Sequence, residues 1–145
     1  TCRASLTPEN REKFGQLRIL DSVAFVHDQL LPRLTIRRTV SSAALHPVCS
    51  VIKLNLSGKL EGIARACSQE VVVPLHAGCC GFAGDRGFLF PELTEAATRR
   101  EAAELQGGRH DGHFSSSRTC EIGMTRATGH VYRSYLYLLE HATRP

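Results

Sequence analysis

Residues 71–87 read Val-Val-Val-Pro-Leu-His-Ala-Gly-Cys-Cys-Gly-Phe-Ala-Gly-Asp-Arg-Gly. The first five of them, at positions 71–75, are apolar and predict a buried strand that is covered on both faces. Glycines then follow at every third position from Gly81 to Gly87, and a helical pattern begins soon afterwards. A strand that runs through a glycine-rich turn into a helix places the turn at the carboxyl edge of a sheet, where backbone N–H groups favour anions such as thiolates. We therefore expect Cys79 and Cys80 to serve chemistry rather than packing.

The composition is that of an ordinary globular chain. Of its 145 residues, 42% are hydrophobic and 22% are charged, which predicts one domain with its own core. The formal net charge of +4 comes from scattered arginines, so we expect no nucleic-acid partner. No apolar run approaches the roughly 18 residues that a membrane span needs, so any membrane contact is expected to be peripheral at most.

Six cysteines are expected to remain reduced. Disulfide frameworks are typical of small secreted chains that lack a core, and this chain is long enough to bury one. Cys79 and Cys80 are also adjacent, and a bridge between neighbours strains the backbone. The pattern therefore indicates a cytoplasmic protein.

A long first helix is predicted to begin at Pro8, with Thr7 as its N-cap, and to end at Pro32. Its apolar face comprises Phe14, Leu17, Leu20, Ala24 and Leu31.

Strands and helices alternate through the rest of the chain. Strands are predicted at 40–45, 71–75 and 113–116, and helices at 57–67, 91–105 and 132–141. The inward faces are predicted to comprise Leu60, Ile63, Ala64 and Cys67 in the first of these helices, and Leu93, Ala96, Ala97 and Ala103 in the second. This order predicts an α/β fold, a three-layer Rossmann-like small parallel sheet flanked by helices.

Four cysteines follow the carboxyl ends of the three predicted strands: Cys49, Cys79, Cys80 and Cys120. Parallel strands bring these ends to one edge, so we expect the thiols to converge on one crevice. Four thiols suit a soft metal ion or an iron–sulfur cluster. No CxxC pair is present, which disfavours a zinc ribbon. The alternative is that they are small buried side chains.

Several neighbours are candidates for a supporting role. His46 is either a ligand, a hydrogen-bonding neighbour that lowers the pKa of Cys49, or a simple strand-end residue. Asp85 and Arg86 are expected to pair with each other or to face an incoming partner. Gly81 and Gly84 offer backbone N–H groups to a bound anionic cofactor.

Other residues of the same types are assigned no chemistry. Cys67 falls on an apolar helix face and is expected to be a buried structural thiol. Cys2 is left unassigned. His110, Asp111 and His113 resemble a metal cluster in sequence, but glycines flank them and a solvent-exposed loop is expected.

Three segments together resemble a known family. They are His-Pro-Val-Cys at 46–49, Cys-Cys-Gly-Phe-Ala-Gly-Asp-Arg-Gly at 79–87, and Ser-Ser-Ser-Arg-Thr-Cys-Glu-Ile-Gly-Met at 115–124. They resemble the CCG cysteine-rich domain of heterodisulfide reductase subunits, glycolate oxidase iron–sulfur subunits and lactate-utilisation proteins. The greatest similarity is to the C-terminal region of the large FAD-linked D-lactate dehydrogenases.

The resemblance implies an electron-transfer module. It would pass electrons from a flavin domain of the same parent chain or complex towards a quinone or cytochrome, in the cytoplasm or at the inner face of the membrane. Cys49, Cys79, Cys80 and Cys120 would bind an iron–sulfur cluster of the 4Fe-4S kind. FAD would belong to the parent protein, and this chain by itself should not oxidise lactate because it has no GxGxxG motif.

The resemblance covers residues 6–145, and residues 1–5 are expected to end a preceding segment. The fuller family motif ends in CxxC, whereas Gly123 stands here in place of the final cysteine. Four candidate ligands therefore remain. A four-cysteine cluster, a zinc ion in a non-catalytic assembly domain, and a bare thiol–disulfide pair are all compatible with them.

Overall fold

The computed structural model describes residues 7–145. Its helices are α1 (Pro8–Phe14), α2 (Ser22–Phe25), α3 (Cys49–Lys53), α4 (Ser57–Cys67), α5 (Arg86–Leu89), α6 (Pro91–Leu105), α7 (Arg118–Thr128) and α8 (Tyr135–Thr143). A π-helical turn (Val26–Leu30) and a 3₁₀ turn (Leu31–Arg33) continue α2. Its strands are β1 (Val40–His46), β2 (Ser68–Val72), β3 (Gly112–Ser115) and β4 (Tyr132–Ser134).

The four strands form one parallel sheet in the order β2-β1-β3-β4. Ala44 lies opposite both Val72 and His113, and His113 lies opposite Tyr132. After β1 the chain builds β2 on one side and then crosses to build β3 on the other. The connections that leave β1 and β3 therefore diverge, and open α/β sheets form their ligand crevice at such a point.

Helices cover both faces of the sheet, which confirms the α/β fold. On one face, α4 packs against β1 and α8, and α8 also contacts β3 and β4. On the other face, α6 packs against α7, which contacts β3 and β4. The alternation of β1 matches these layers: Ala43 and Leu45 join the larger apolar cluster with Leu60, whereas Ala44 packs with Met124 in the smaller one.

Two predicted helices are confirmed with their boundaries. In α4 the buried side chains are those of Leu60, Ile63, Ala64 and Cys67, as the periodicity predicts. Helix α6 begins at Pro91 and ends at Leu105, and Gly107 follows with a φ of 84°. Among the described helices, none is both long and apolar enough to cross a membrane.

The prediction of one long first helix is wrong. Helix α1 does begin at Pro8, and the Thr7 hydroxyl accepts the Asn10 N–H at 3.3 Å, but the helix ends at Phe14. A new helix begins after Asp21, whose carboxylate accepts the Val23 N–H at 2.8 Å. Leu17 lies between the two helices and not on a continuous helix face, and it is 58% exposed and not part of the core. Phe14 and Leu20 are likewise exposed.

The second strand lies three residues earlier than predicted, and it lies at the edge of the sheet. Strand β2 ends at Val72, because Pro74 lacks the N–H that would continue the ladder. As an edge strand it is only partly covered, and Leu75 beyond it is 89% exposed. The prediction that both faces are covered is therefore wrong.

The prediction of which residues of α6 face inward is also wrong. Leu93 is exposed, and so are Ala96, Ala97 and Ala103. The buried residues are Thr94, Thr98, Glu101, Ala102 and Leu105. Glu101 binds His46 of the sheet, and Thr94 lies close to Gly87 and Gly123, so this helix buries a polar stripe that apolar periodicity cannot detect.

Two elements near the C-terminus were not predicted. Helix α7 lies where an irregular connection was expected, and it carries Cys120. The three-residue strand β4 occupies the start of the predicted last helix, so α8 begins at Tyr135 and not at Tyr132. Strand β3 lies within one residue of its predicted position.

Candidate functional site

The carboxyl edge of the sheet carries the four candidate cysteines. Cys49 is the first residue of α3, directly after β1. Cys79 and Cys80 lie in the loop between β2 and α5, and Cys120 is the third residue of α7, after β3. Because all four strands are parallel, the connections after β1, β2 and β3 leave from the same edge.

Two of these thiols are in direct contact. The Sγ atoms of Cys80 and Cys120 lie 2.8 Å apart, although 40 residues separate them in the chain. Both side chains are buried, and both belong to the larger apolar cluster. The separation exceeds the roughly 2.05 Å of a disulfide bond. The pair is therefore a contact between two reduced thiols.

The contact shifts the pKa values of the two thiols in opposite directions. The pKa of Cys80 is lowered to about 6, chiefly because the Cys120 S–H donates a hydrogen bond to it. Burial opposes this shift, while the Phe82 N–H and the positive charge of His46 support it. The pKa of Cys120 is raised, first because it donates that bond and then by burial. At neutral pH the pair therefore holds a thiolate on Cys80 and a thiol on Cys120.

Titration of the reduced, metal-free protein should show this asymmetry. The ultraviolet absorbance of one thiolate should rise with a midpoint near pH 6, the pKa of Cys80. In Cys120→Ala the donated hydrogen bond is lost while burial remains, so we expect the midpoint to move up by more than about one pH unit. Cys67→Ala is the control and should leave the low midpoint in place. A wild-type midpoint near pH 8 to 9 would contradict the assignment.

Cys49 and Cys79 lie at the same edge but outside this contact. Cys49 is half-buried and Cys79 is exposed, and the Cys79 Sγ accepts the Gly81 N–H at 3.4 Å. Their charges contribute to the raised pKa of Cys120, which places them within electrostatic range of it. Across residues 7–145, no three His, Cys, Asp or Glu side chains are arranged as a metal site. The donor set suits a soft metal, whereas the arrangement is that of a dithiol with two neighbouring thiols.

Beside the thiols, His46 forms a buried pair with Glu101 of α6. The His46 Nδ1 and Glu101 Oε1 atoms lie 2.7 Å apart, and both side chains are almost fully buried. The Ser115 hydroxyl donates to the His46 carbonyl at 3.1 Å, which ties β3 to the end of β1. Within the described chain the His46 Nε2 and the Tyr132 hydroxyl have no hydrogen-bond partner. Burial and the nearby Glu101 charge both raise the pKa of Tyr132.

Glu101 was missed by the sequence analysis. Among the buried residues of α6 it lies seven positions after Thr94 and three after Thr98. Only this helical spacing of polar residues, read as an inward stripe, can identify it from sequence.

The glycine loop is held by packing against α6 and α7. Gly81, Ala83 and Gly84 all have positive φ. A Cβ at Gly81 would lie 2.6 Å from the Leu93 carbonyl oxygen, so the loop touches the helix backbone there. Around Gly84 there is open space. Phe82, between them, is fully buried and accepts the Gly87 N–H at its carbonyl.

Two alanine substitutions in this loop should differ in their effect on stability. Gly81→Ala combines left-handed strain with a clash against helix backbone, so the free energy of unfolding should fall by about 3 kcal/mol. Gly84→Ala has the same strain without the clash and should cost about 1 kcal/mol. Urea unfolding measures both. Equal losses in the two variants would show that the contact with Leu93 does not hold the loop.

Asp85 and Arg86 do not pair with each other. Both are exposed, and within the described residues neither forms an ion pair. Asp85 precedes α5, and its carbonyl accepts the Phe88 N–H at 2.9 Å. The expectation that the two side chains pair with each other is therefore wrong.

The predictions for the other cysteines and for residues 110–113 have different outcomes. Cys67 is fully buried, and burial raises its pKa to about 11, as expected of a structural thiol. Cys2 lies outside the described residues. The expectation of a solvent-exposed loop is wrong for His113, which belongs to β3 and is buried. Asp111 is exposed, but its carboxylate accepts the N–H groups of Ser41 and Ser42.

Comparison with known proteins leaves the site to be interpreted from its own geometry. No protein-family model matches this chain, and neither a curated protein nor a solved structure is significantly similar to it.

Proposed function

We propose that this chain is an electron-transfer domain of an FAD-linked D-lactate (2-hydroxy acid) dehydrogenase, and that its working site is the group of thiols at the carboxyl edge of the sheet. The contact between Cys80 and Cys120 carries this proposal. It joins the connections after β2 and β3 beside the point where the chain reverses its direction along the sheet. The resemblance of the cysteine motifs to the CCG domain supplies the class of parent enzyme.

The donor chemistry supports an iron–sulfur cluster, and Cys49, Cys79, Cys80 and Cys120 would hold it. When bound, such a cluster accepts and releases single electrons. The chain prepares Cys80 for ligation, because its lowered pKa makes it a thiolate at neutral pH and a metal binds the thiolate form. Cys80 is itself buried, which limits access of water to this thiolate, and the Phe82 N–H group favours its negative charge.

The proposed partners follow from the resemblance of the cysteine motifs to the CCG domain. The flavin domain of the parent chain or complex would oxidise the 2-hydroxy acid and supply the electrons. A quinone or cytochrome would receive them, in the cytoplasm or at the inner face of the membrane. By itself the chain should not oxidise lactate.

Metal and sulfide analysis tests the proposal. The protein is purified anaerobically, reconstituted with ferrous iron and sulfide, and analysed for iron, acid-labile sulfide and zinc. Iron with equivalent sulfide, together with a visible absorbance that bleaches on reduction, would support an electron-transfer site. Colourless protein with one zinc ion per chain, unchanged by reconstitution, would favour the assembly domain and contradict the proposal.

A second candidate function is thiol–disulfide exchange, which the direct contact between the two sulfur atoms favours. In this reaction the Cys80 thiolate attacks a substrate disulfide and releases one substrate thiolate. The Cys120 thiol then loses its proton, attacks the mixed disulfide and releases the second thiolate. The pair is oxidised to a Cys80–Cys120 disulfide, while the substrate gains two electrons, one proton from Cys120 and one proton from water. In this case Cys120→Ser should trap a mixed disulfide on Cys80, which mass spectrometry detects.

A further inference from the structure

A cavity of about 450 Å³ lies at the opposite, amino edge of the sheet. Its walls come from the start of β1, from the segments that precede β3 and β4, and from α8. The apolar part of its lining includes Val131, Tyr137 and Leu138. A volume of this size is typical of small-molecule sites and too small for a macromolecular partner.

Three imidazole rings gather at this cavity. The rings of His113 and His130 stack in parallel, with centroids 4.4 Å apart and an interplanar angle of 6°. The His110 ring packs edge-on against His113 at 5.5 Å, and its Nδ1 lies 2.8 Å from the Ser42 hydroxyl. The Nε2 of His113 is buried and has no partner among the described residues.

Four imidazoles, one guanidinium and one carboxylate line the cavity. Arg133 lines it and forms no ion pair with any described residue, and His141 of α8 adds a fourth imidazole. Asp111 is the one carboxylate in the lining, and the N–H groups of Ser41 and Ser42 already bind its Oδ2 at 2.6 and 3.2 Å.

The environment of His113 disfavours a charge on its ring. The pKa of His113 is lowered to about 4, first by burial and then by the positive charges of His130 and His110. An anion in the cavity would give Arg133 the charged partner that it lacks among the described residues. A metal ion suits the histidines less well, because parallel stacked rings do not direct their nitrogen lone pairs at one point.

We propose that this cavity binds a small organic anion, whose acid group pairs with Arg133 and whose apolar part lies against Val131 and Tyr137. Guanidinium groups recognise phosphate and carboxylate groups by two parallel hydrogen bonds, so either acid group satisfies the site. The exposed ring of His130 and His141 would add further N–H donors. The site lies at the opposite edge of the sheet from the thiols and does not depend on their function.

Titrations with phenyl phosphate, benzoate and inorganic phosphate test the proposal. Binding is followed by calorimetry and by amide chemical shifts of the full chain. Phenyl phosphate or benzoate should bind with a dissociation constant of about 1 mM or lower and shift the amides of residues 110–113 and 130–133. Inorganic phosphate, which lacks an apolar part, should bind more weakly. The stronger of the two aromatic acids identifies the acid group.

Matched arginine variants separate the cavity from general attraction by a basic protein. Arg133→Gln should weaken binding by about tenfold or more, because a charge-assisted pair is lost. Arg99→Gln removes the same charge from an exposed position on α6 and should leave binding unchanged. Amide spectra of the free variants show whether each is folded. Equal weakening in both variants, shifts confined to the thiol edge, or no binding at about 10 mM would each overturn the proposal.

Discussion

Glu101→Ala should lower the free energy of unfolding by about 3 kcal/mol, a large part of the 5 to 15 kcal/mol typical of a domain. The carboxylate and the His46 imidazole are both almost fully buried and bind each other at 2.7 Å. Removing the carboxylate would leave both nitrogens of His46 without a partner among the described residues, because Nε2 already lacks one. Urea unfolding of the variant and the wild type measures the difference.

Glu95→Ala is the matched control for this prediction. Glu95 lies on the exposed side of the same helix, so its loss should change stability by less than about 0.5 kcal/mol. Glu101→Gln keeps an oxygen that can accept from His46 Nδ1 and should recover most of the loss. If Glu101→Ala is as stable as Glu95→Ala, the buried pair does not join α6 to the sheet.

Cys80→Ser should lower the iron bound after anaerobic reconstitution by about tenfold or more. Serine has nearly the same size but offers a hard, protonated oxygen in place of a soft thiolate, and Cys80 is the thiol that this fold holds ionised. Iron and acid-labile sulfide per folded chain are the quantities to measure. Circular dichroism of the apo-protein confirms that the variant is folded.

Cys67→Ala tests whether the loss is specific to the carboxyl edge. It removes a buried thiol whose pKa burial raises to about 11 and which lies outside the site. Its iron content should equal that of the wild type. Equal iron loss in Cys67→Ala and Cys80→Ser would mean that iron binding reports general stability, and full iron retention in Cys80→Ser would remove this residue from the site.

The sequence predicts the fold well where apolar patterning and turn signals agree. Helix α4 has its four predicted buried residues, and α6 begins at a proline and ends before paired glycines. Strand β1 and the alternation of helices and strands are enough to predict a parallel sheet with covered faces. That topology brings Cys80 and Cys120 to the same edge of the sheet, although α7, the helix that carries Cys120, was not predicted.

Other features depend on partners that lie far away in the chain. Glu101 on the buried face of α6 binds His46 of the sheet, and no local pattern reveals what a helix will pack against. The prediction of one long first helix is wrong for a different reason. The apolar spacing continues past Gly15, yet α1 ends at Phe14 and a new helix begins only after the cap at Asp21.

The most direct test of the account is the alkylation of each cysteine in the native protein, with and without reconstituted iron and sulfide, read out by mass spectrometry. We expect Cys49 and Cys79, which alkylation can reach in the folded iron-free protein, to become protected together when iron is bound. The buried Cys67, Cys80 and Cys120 should remain unlabelled in both states, and so they report that the protein is folded. Equal labelling of Cys49 and Cys79 with and without iron, or protection of only one of them, would contradict a shared four-thiol cluster.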